Sequence, residues 1–163
     1  MEPAELIDAE ALVRIQEASY ERGPRGLRSS WPPESAMDAA KLRSFLDRHH
    51  YCVLATTSAR GHAQARPVAF TVVRASFWFA SVAGSRLRNL DRVPWGSVAV
   101  TEGDRGSHQA VILEGRASVV GEPPDAVVNV WDNRHGSPAE WASAWFEIEP
   151  ALLFSYQAAA SSS

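Results

Sequence analysis

A short segment that joins a predicted strand to a predicted helix could bind a phosphate group. It contains Gly84 and Ser85, followed by Arg86 and Arg88. The first amides of a helix have no partner within that helix, and guanidinium groups form charge-assisted hydrogen bonds with phosphate. The same residues are also typical of an ordinary helix start followed by solvated arginines, so the segment alone leaves both interpretations open.

Arginine is the dominant basic residue of this chain, which weakens any argument from a single arginine. The sequence contains fifteen arginines and one lysine, Lys41. Such a bias is typical of a GC-rich genome, since alanine is abundant as well. Most of these side chains are therefore expected to be solvated surface charges.

A second segment with possible binding character contains Arg66, Pro67 and Val68 within a predicted strand. Proline has no N–H group and cannot donate to a strand ladder. The segment is therefore expected to lie at a sheet edge, at a bulge or along a ligand. An ordinary edge strand would satisfy the same pattern.

The other residue types with chemical potential are spaced unfavourably for catalysis or metal binding. Cys52 lies on a predicted central strand, where alternation favours a small buried side chain over a nucleophile. The histidines show no metal-ligand spacing, and adjacent histidines point in different directions. We therefore expect no metal site. The five histidines are His49, His50, His62, His108 and His135.

Length and composition limit the function classes further. The chain has 163 residues, 45% of them hydrophobic, and a formal net charge of −3. One core of this size is self-supporting, and a net acidic chain is a poor general binder of nucleic acid. The single cysteine excludes an internal disulfide and a multi-cysteine zinc site. The chain shows neither a signal peptide nor a membrane span, so we expect a cytoplasmic protein.

The helical patterns divide the chain into three parts. Residues 1–33 combine a predicted helix at 5–20 with a proline- and glycine-rich break, and are interpreted as an appendage. Residues 34–157 form the predicted domain, beginning with a helix at 35–49 whose capping box consists of Ser35 and Asp38. Residues 158–163 are expected to form a disordered tail.

Six short segments with a period of two follow that helix. Tight glycine turns separate them, which predicts a mainly β protein built as a six-stranded antiparallel barrel with flanking helices. Two helical inserts interrupt the strands, at 84–91 and at 124–143. The predicted strands are 51–57, 62–73, 77–82, 95–101, 109–120 and 145–156.

In this order the segments resemble the pyridoxamine 5'-phosphate oxidase-like, FMN-binding split-barrel family, over about residues 40–156. The similarity is to its small actinobacterial-type members, through closing-strand residues 146–155. The motifs that carry it are Phe45-Leu46, residues 53–56, Gly61, residues 66–68, residues 84–86, Asn89-Leu90, Pro94 and residues 114–117.

The resemblance implies a role for nine residues in binding FMN. It places a stretch of the second strand, and part of the third, beside the flavin ring and ribityl chain. It places the segment after Gly84 at the phosphate and a glutamine from a partner strand at the ring. The residues so implied are Arg66, Pro67 and Val68; Ala80 and Ser81; Ser85, Arg86 and Arg88; and Gln109.

The family's general properties imply a homodimeric flavin-dependent oxidoreductase that acts on a small-molecule substrate. The flavin accepts or donates the hydride itself, so the absence of a catalytic triad is expected. Leu87 replaces the lysine that usually follows the Ser-Arg pair in relatives that oxidise pyridoxamine phosphate, and their substrate segment rich in arginine and tryptophan is missing. Oxidation of vitamin B6 is therefore not the expected reaction.

The resemblance also allows other interpretations of the cofactor and the function. A deazaflavin cofactor would keep the same fold, as in many actinobacterial relatives. Haem binding or a non-catalytic binding role is a third reading, with His49, His50, His62 or His108 as the candidate haem ligand. The insert with Trp131, Trp141 and Trp145 is expected either to pack in the core or dimer interface or to cover the substrate pocket.

Overall fold

The computed structural model describes residues 7–23 and 25–158. The five helices are α1 (Ala9–Arg22), α2 (Arg25–Ser30), α3 (Ala39–Arg48), α4 (Ser85–Arg92) and α5 (Asp125–His135), with 3₁₀ turns at Pro33–Ser35 and Arg105–Ser107. The strands are β1 (Tyr51–Thr57), β2 (Ala63–Ala69), β3 (Thr71–Val73), β4 (Ser76–Ser81), β5 (Trp95–Glu102), β6 (Gln109–Val120) and β7 (Ala144–Gln157). No helix within these residues is long and apolar enough to cross a membrane.

The strands form one antiparallel sheet that curls into a split barrel. Their order across the sheet is β2-β1-β5-β6-β7-β4-β3. The two end strands are consecutive in the chain and are separated only by Phe70. The curl brings the sheet's two edges to this one segment. The predicted split barrel is thus confirmed, with seven strands instead of six because the predicted strand 62–73 divides at Phe70.

The apolar core lies inside the curl and follows the strand alternation. Phe77 and Phe79 of β4 are fully buried, and the ring of Phe79 stacks on that of Phe146 with centroids 4.7 Å apart. Phe70 stacks in the same way on Phe77. Aromatic side chains from β4, from β7 and from the residue between β2 and β3 therefore fill the centre of the barrel.

Helix α1 is part of this core, although the sequence led us to assign residues 1–33 to an appendage. Leu12 of α1 is fully buried in the same cluster as the barrel phenylalanines. The hydroxyl oxygen of Ser19 accepts a 3.0 Å hydrogen bond from the amide of Leu153 in β7. The side-chain nitrogen of Gln16 donates to the carbonyl of Met37 at 3.0 Å. A local pattern shows the apolar face of a helix but not the strand that covers it.

The start of α3 corrects the predicted capping box. The helix begins at Ala39, and Asp38 is its N-cap, with a carboxylate oxygen that accepts from the amide of Lys41 at 2.9 Å. Ser35 lies outside the helix, in the preceding 3₁₀ turn. Either Ser35 or Asp38 is a suitable cap, and the cap lies at the residue where the backbone enters the helix.

The tryptophan-containing insert packs mainly against the outside of the barrel. The rings of Trp131 in α5 and Trp145 in β7 meet edge to face, with centroids 5.1 Å apart. Both side chains are buried in a second apolar cluster with Trp78. Trp141 differs, because 56% of its surface is exposed. Packing is therefore observed for two of the three tryptophans.

Candidate functional site

A cavity of about 250 Å³ opens where β1, β2 and α4 meet. The register of β1 and β2 sets Leu54 opposite Arg66 and Thr56 opposite Gln64. Because side chains two apart on a strand share a face, these four point to the same side of the sheet. The residues that line the cavity are Leu54, Thr56, Gln64, Arg66, Pro67, Ser85 and Arg86.

Two guanidinium groups with no acidic neighbour in the lining give the cavity its charge. Burial lowers the pKa of Arg86, the adjacent Cys52 thiol acts in the opposite direction, and the positive charge of Arg66 lowers the pKa further. Repulsion between two cations that share a site is relieved when an anion binds between them. The cavity is therefore suited to an anionic group that offers several acceptor oxygens.

The start of α4 adds hydrogen-bond donors to the same cavity. Gly84 is the N-cap and offers no capping side chain, and the first turn contains no acidic residue. The amide of Arg88 is the first to pair within the helix, with the carbonyl of Gly84 at 3.2 Å. The amides of Ser85 and Arg86 precede it and lack an intrahelical acceptor. They can therefore donate to a ligand.

Ser81 connects the end of β4 to this site. Nη1 of Arg86 donates to the Ser81 hydroxyl oxygen at 3.4 Å, and Ser81 itself is buried. Its neighbour Ala80 is also buried, but packs in the second apolar cluster with Trp131 and Trp145. The alternation of β4 thus directs Ser81 toward the site and the Ala80 side chain away from it.

A buried amide network under the cavity involves Thr56, Gln64, Asn89 and Arg92, none of which was predicted to bind the cofactor. Nδ2 of Asn89 donates to Oγ1 of Thr56 at 3.0 Å and to Oε1 of Gln64 at 2.7 Å. Oδ1 of Asn89 accepts from Nη2 of Arg92 at 2.9 Å. Alternation was the signal that could have found Gln64, since it lies two residues before Arg66 on the same strand.

The structure brings together some of the predicted cofactor-binding residues but not all. Arg66, Pro67, Ser85 and Arg86 line one cavity, with Ser81 in contact with Arg86. Among the predicted residues outside the lining, Val68 is buried in the barrel core opposite Cys52, and Arg88 is exposed.

Gln109 lies at the start of β6, in a separate cavity of about 380 Å³ that Lys41 also lines. Within one chain, Gln109 therefore does not line the cavity that contains Arg66 and Arg86. The residue stays a predicted contact.

Cys52 and His49, which were considered as a nucleophile and a ligand, lie in environments that hold their side chains in place. Burial raises the pKa of the Cys52 thiol to about 12, and the nearby Arg86 opposes this rise. The two ring nitrogens of His49 lie 2.6 Å from the carbonyl oxygen of Phe45 and 3.0 Å from a carboxylate oxygen of Glu102. Among residues 7–23 and 25–158, no group of three metal-binding side chains is found.

An apolar surface covers the opposite side of β1. Val53 and Ala55 alternate with Leu54, so their side chains point away from the cavity that Arg66 and Arg86 line. They line an open hollow of about 440 Å³ together with Leu27, Ile112 and Phe154. The nearby Tyr51 has 67% of its surface exposed. A large apolar area that remains in water is typical of an interaction surface.

The family model for pyridoxamine 5'-phosphate oxidase matches residues 39–158. This chain belongs to that family. The match begins at the first residue of α3 and covers every strand of the barrel as well as α4. In this family member the match therefore includes all residues that line the cavity between β1, β2 and α4. No curated protein sequence matches the chain.

Solved structures confirm the split-barrel fold at low sequence identity. A FAD-binding protein from Mesorhizobium loti is 18% identical with a TM-score of 0.62, and the alignment covers 77% of this chain and 96% of that one. An F420 reductase is 21% identical with a TM-score of 0.56, covering 68% and 93%. The heme storage protein HutZ from Vibrio cholerae is 17% identical with a TM-score of 0.58, covering 72% and 93%. The shared fold alone therefore does not identify a cofactor.

Proposed function

We propose that this member of the family is an FMN-binding oxidoreductase that transfers hydride or electrons to or from a small organic substrate. The observation that carries the proposal is the pair Arg66 and Arg86 in a cavity without an acidic side chain. A phosphate monoester has the charge and the acceptor oxygens that two guanidinium groups and two helix-start amides can bind.

The residues of the chain fit the phosphate end of FMN in chemical type. Ser85 and Arg86 supply a hydroxyl, a guanidinium group and main-chain amides at the start of α4, and Arg66 supplies a second guanidinium group from β2. When bound, FMN supplies the redox chemistry through its ring system. The protein's task is then to bind and orient the cofactor, with arginine as the main source of positive charge.

The proposal includes a homodimer that forms through the apolar surface on β1, β5, β6 and β7. Tyr51, Val53 and Trp95 are exposed around this surface, and aromatic and aliphatic residues of this kind are enriched at the centres of protein interfaces. The anion-binding cavity and the apolar surface lie on opposite faces of β1.

The bound chromophore of freshly purified protein tests the proposal. We expect the visible absorption bands of a flavin, or their appearance when FMN is added to colourless protein. Parallel titrations with FMN, the deazaflavin F420 and haemin, followed by quenching of tryptophan fluorescence, separate the three cofactors. Tight binding of F420 or haemin with no binding of FMN would contradict the proposal.

A further inference from the structure

We propose that Gln64 donates a hydrogen bond to the bound phosphate group, and that Asn89 is a positioning residue that presents the Gln64 amide in this orientation. The proposal deepens the proposed FMN function and rests on it for the identity of the ligand. The hydrogen-bond network itself depends only on this chain.

The orientation of Asn89 is determined by Arg92. An arginine side chain contains only donors, so the atom that it contacts on Asn89 must be the amide oxygen. Nη2 of Arg92 lies 2.9 Å from that oxygen, and the same nitrogen contacts the main-chain carbonyl of Thr57 at 3.3 Å. The Asn89 side chain is buried, so the alternative orientation would set its NH₂ group against a cation without an acceptor.

Once Asn89 is fixed, the orientation of Gln64 follows. The NH₂ group of Asn89 points at both Gln64 and Thr56, and it can only donate. Gln64 must therefore accept through Oε1, at 2.7 Å, and Thr56 must accept through its hydroxyl oxygen, at 3.0 Å. The acceptors of both side chains are thus used, while the Gln64 NH₂ group and the Thr56 hydroxyl hydrogen stay available.

These remaining donors belong to residues that line the same cavity as the two arginines. Gln64, Thr56, Arg66 and Arg86 surround one space, and no carboxylate is among its lining residues. Within the part of the chain that the structure describes, the Gln64 NH₂ group has no other hydrogen-bond partner. The polar side chains of the lining thus present donors, beside the apolar Leu54 and Pro67, and this favours a ligand group made of acceptors such as the oxygens of a phosphate.

The Gln64→Glu variant tests the donor role directly. Glutamate has the same shape and can still accept from Asn89, but it cannot donate to phosphate and adds a negative charge beside it. We expect FMN affinity to fall roughly ten- to a hundredfold or more, and the affinity for riboflavin, which lacks the phosphate, to change by less than about twofold. Wild-type affinity for FMN in this variant would overturn the proposal.

Ala63→Glu is the matched control for the added charge. Ala63 is exposed on the same strand, and alternation directs its side chain to the opposite face. We expect this variant to bind FMN within about twofold of wild type. An equal loss in both variants would show a general charge effect and would contradict a specific donor at Gln64.

The Asn89→Asp variant tests the positioning role. Aspartate cannot donate to Gln64, so the Gln64 amide would turn its NH₂ group toward residue 89 and its oxygen toward the phosphate. We expect the affinity for FMN to fall and the affinity for riboflavin to change little. The thermal midpoint of the variant is measured in parallel. A purely structural role for Asn89 would instead lower the midpoint and weaken both ligands equally, which would overturn the assignment.

Inorganic phosphate and pyrophosphate keep this test independent of FMN. Wild-type protein that binds neither FMN nor riboflavin would contradict the proposed function. In that case the donor role of Gln64 is tested by the rise in thermal midpoint that each anion produces. A rise in wild type that is lost in Gln64→Glu supports the inference, and no rise in wild type overturns it.

Discussion

Nη1 of Arg86 donates to the hydroxyl oxygen of Ser81, across a distance of 3.4 Å between the start of α4 and the end of β4. Ser81 is buried and belongs to a strand that pairs along its length with β7. The guanidinium group is therefore held by the sheet before any ligand arrives. A preorganised cation loses less conformational freedom on binding than a mobile one.

Replacement of Arg86 by alanine is expected to weaken FMN binding. A charge-assisted hydrogen bond contributes about 1.5–3 kcal/mol, which corresponds to a loss of roughly ten- to a hundredfold in affinity. Fluorescence titration measures the change. The exposed Arg14 of α1 provides the matched control, since Arg14→Ala removes the same charge far along the chain from the cavity. Equal affinities for Arg86→Ala and wild type would remove Arg86 from the phosphate site.

A charge in the apolar surface should disrupt the proposed homodimer. Val53 lines that surface and is 40% exposed, so Val53→Glu would place a carboxylate in the interface with little effect on the folded chain. We expect sedimentation to show a shift from dimer to monomer. Val119 has a similar exposure of 43% but does not line the hollow, so Val119→Glu should remain a dimer. A dimeric Val53→Glu protein would place the interface elsewhere.

Truncation of a buried α1 side chain measures how firmly this helix belongs to the core. Leu12 is fully buried, and Leu12→Ala is expected to lower the free energy of unfolding by about 2–5 kcal/mol, since it leaves a cavity in the core. Urea denaturation followed by fluorescence gives the value. The exposed Glu17 lies on the same helix, and Glu17→Ala should leave stability nearly unchanged. No loss in Leu12→Ala would restore the interpretation of α1 as an appendage.

The contrast between α1 and the strands shows what a sequence pattern can reveal. Alternation located the strands because each strand has one face toward the core, and that local pattern is visible in the residues themselves. The partner of α1 is β7, at the other end of the chain, and the contact between Ser19 and Leu153 leaves no local signature. Long-range packing of this kind can be seen only in the folded chain.

The same distinction applies to the candidate site. Arg66 and Arg86 could be selected from the sequence because a resemblance to a family pointed to them. Gln64 was missed because its proposed role depends on Asn89, which contacts it only after α4 packs against β1 and β2, and on Arg92, which contacts Asn89. Gln109 was selected from the same resemblance, yet one chain places it in a different cavity.

The thiol of Cys52 should be unreactive in the folded protein. Burial raises its pKa to about 12, so at about pH 8 the reactive thiolate is roughly a thousandfold scarcer than in free cysteine. We expect a chromogenic disulfide reagent to modify Cys52 only after denaturant is added. The unfolded chain is the control, and rapid modification of the native protein would contradict the buried environment.

The environment of His135 should make the protein less stable in acid. Burial is the main cause that lowers its pKa, while the contact between its Nε2 and the Phe70 carbonyl, at 3.0 Å, opposes this shift. The folded state therefore favours the neutral ring. Its stabilising contribution is complete above the unfolded pKa of about 6.5 and is lost as the pH falls toward the lower folded pKa.

Urea midpoints at about pH 8 and about pH 5.5 measure this loss, in a range that lies above the titration of ordinary carboxylates. We expect His135→Gln to reduce the difference between the two midpoints, since glutamine can donate to Phe70 and does not titrate. His62→Gln, at an exposed hairpin position, should retain the wild-type difference. If His135→Gln retains the wild-type difference between the two urea midpoints, other groups cause the acid sensitivity.

The division of one strand at Phe70 also bears on how the protein avoids aggregation. The segment that contains β2 and β3 supplies both terminal strands of the sheet, so both sides that could accept a strand from another molecule lie on it. Proline is tolerated in a strand where its nitrogen faces away from the ladder, so Pro67 removes a donor from the outer side of β2. The three residues of β3 are too few to offer a long template. A single short stretch of chain thus protects the whole sheet from edge-to-edge association.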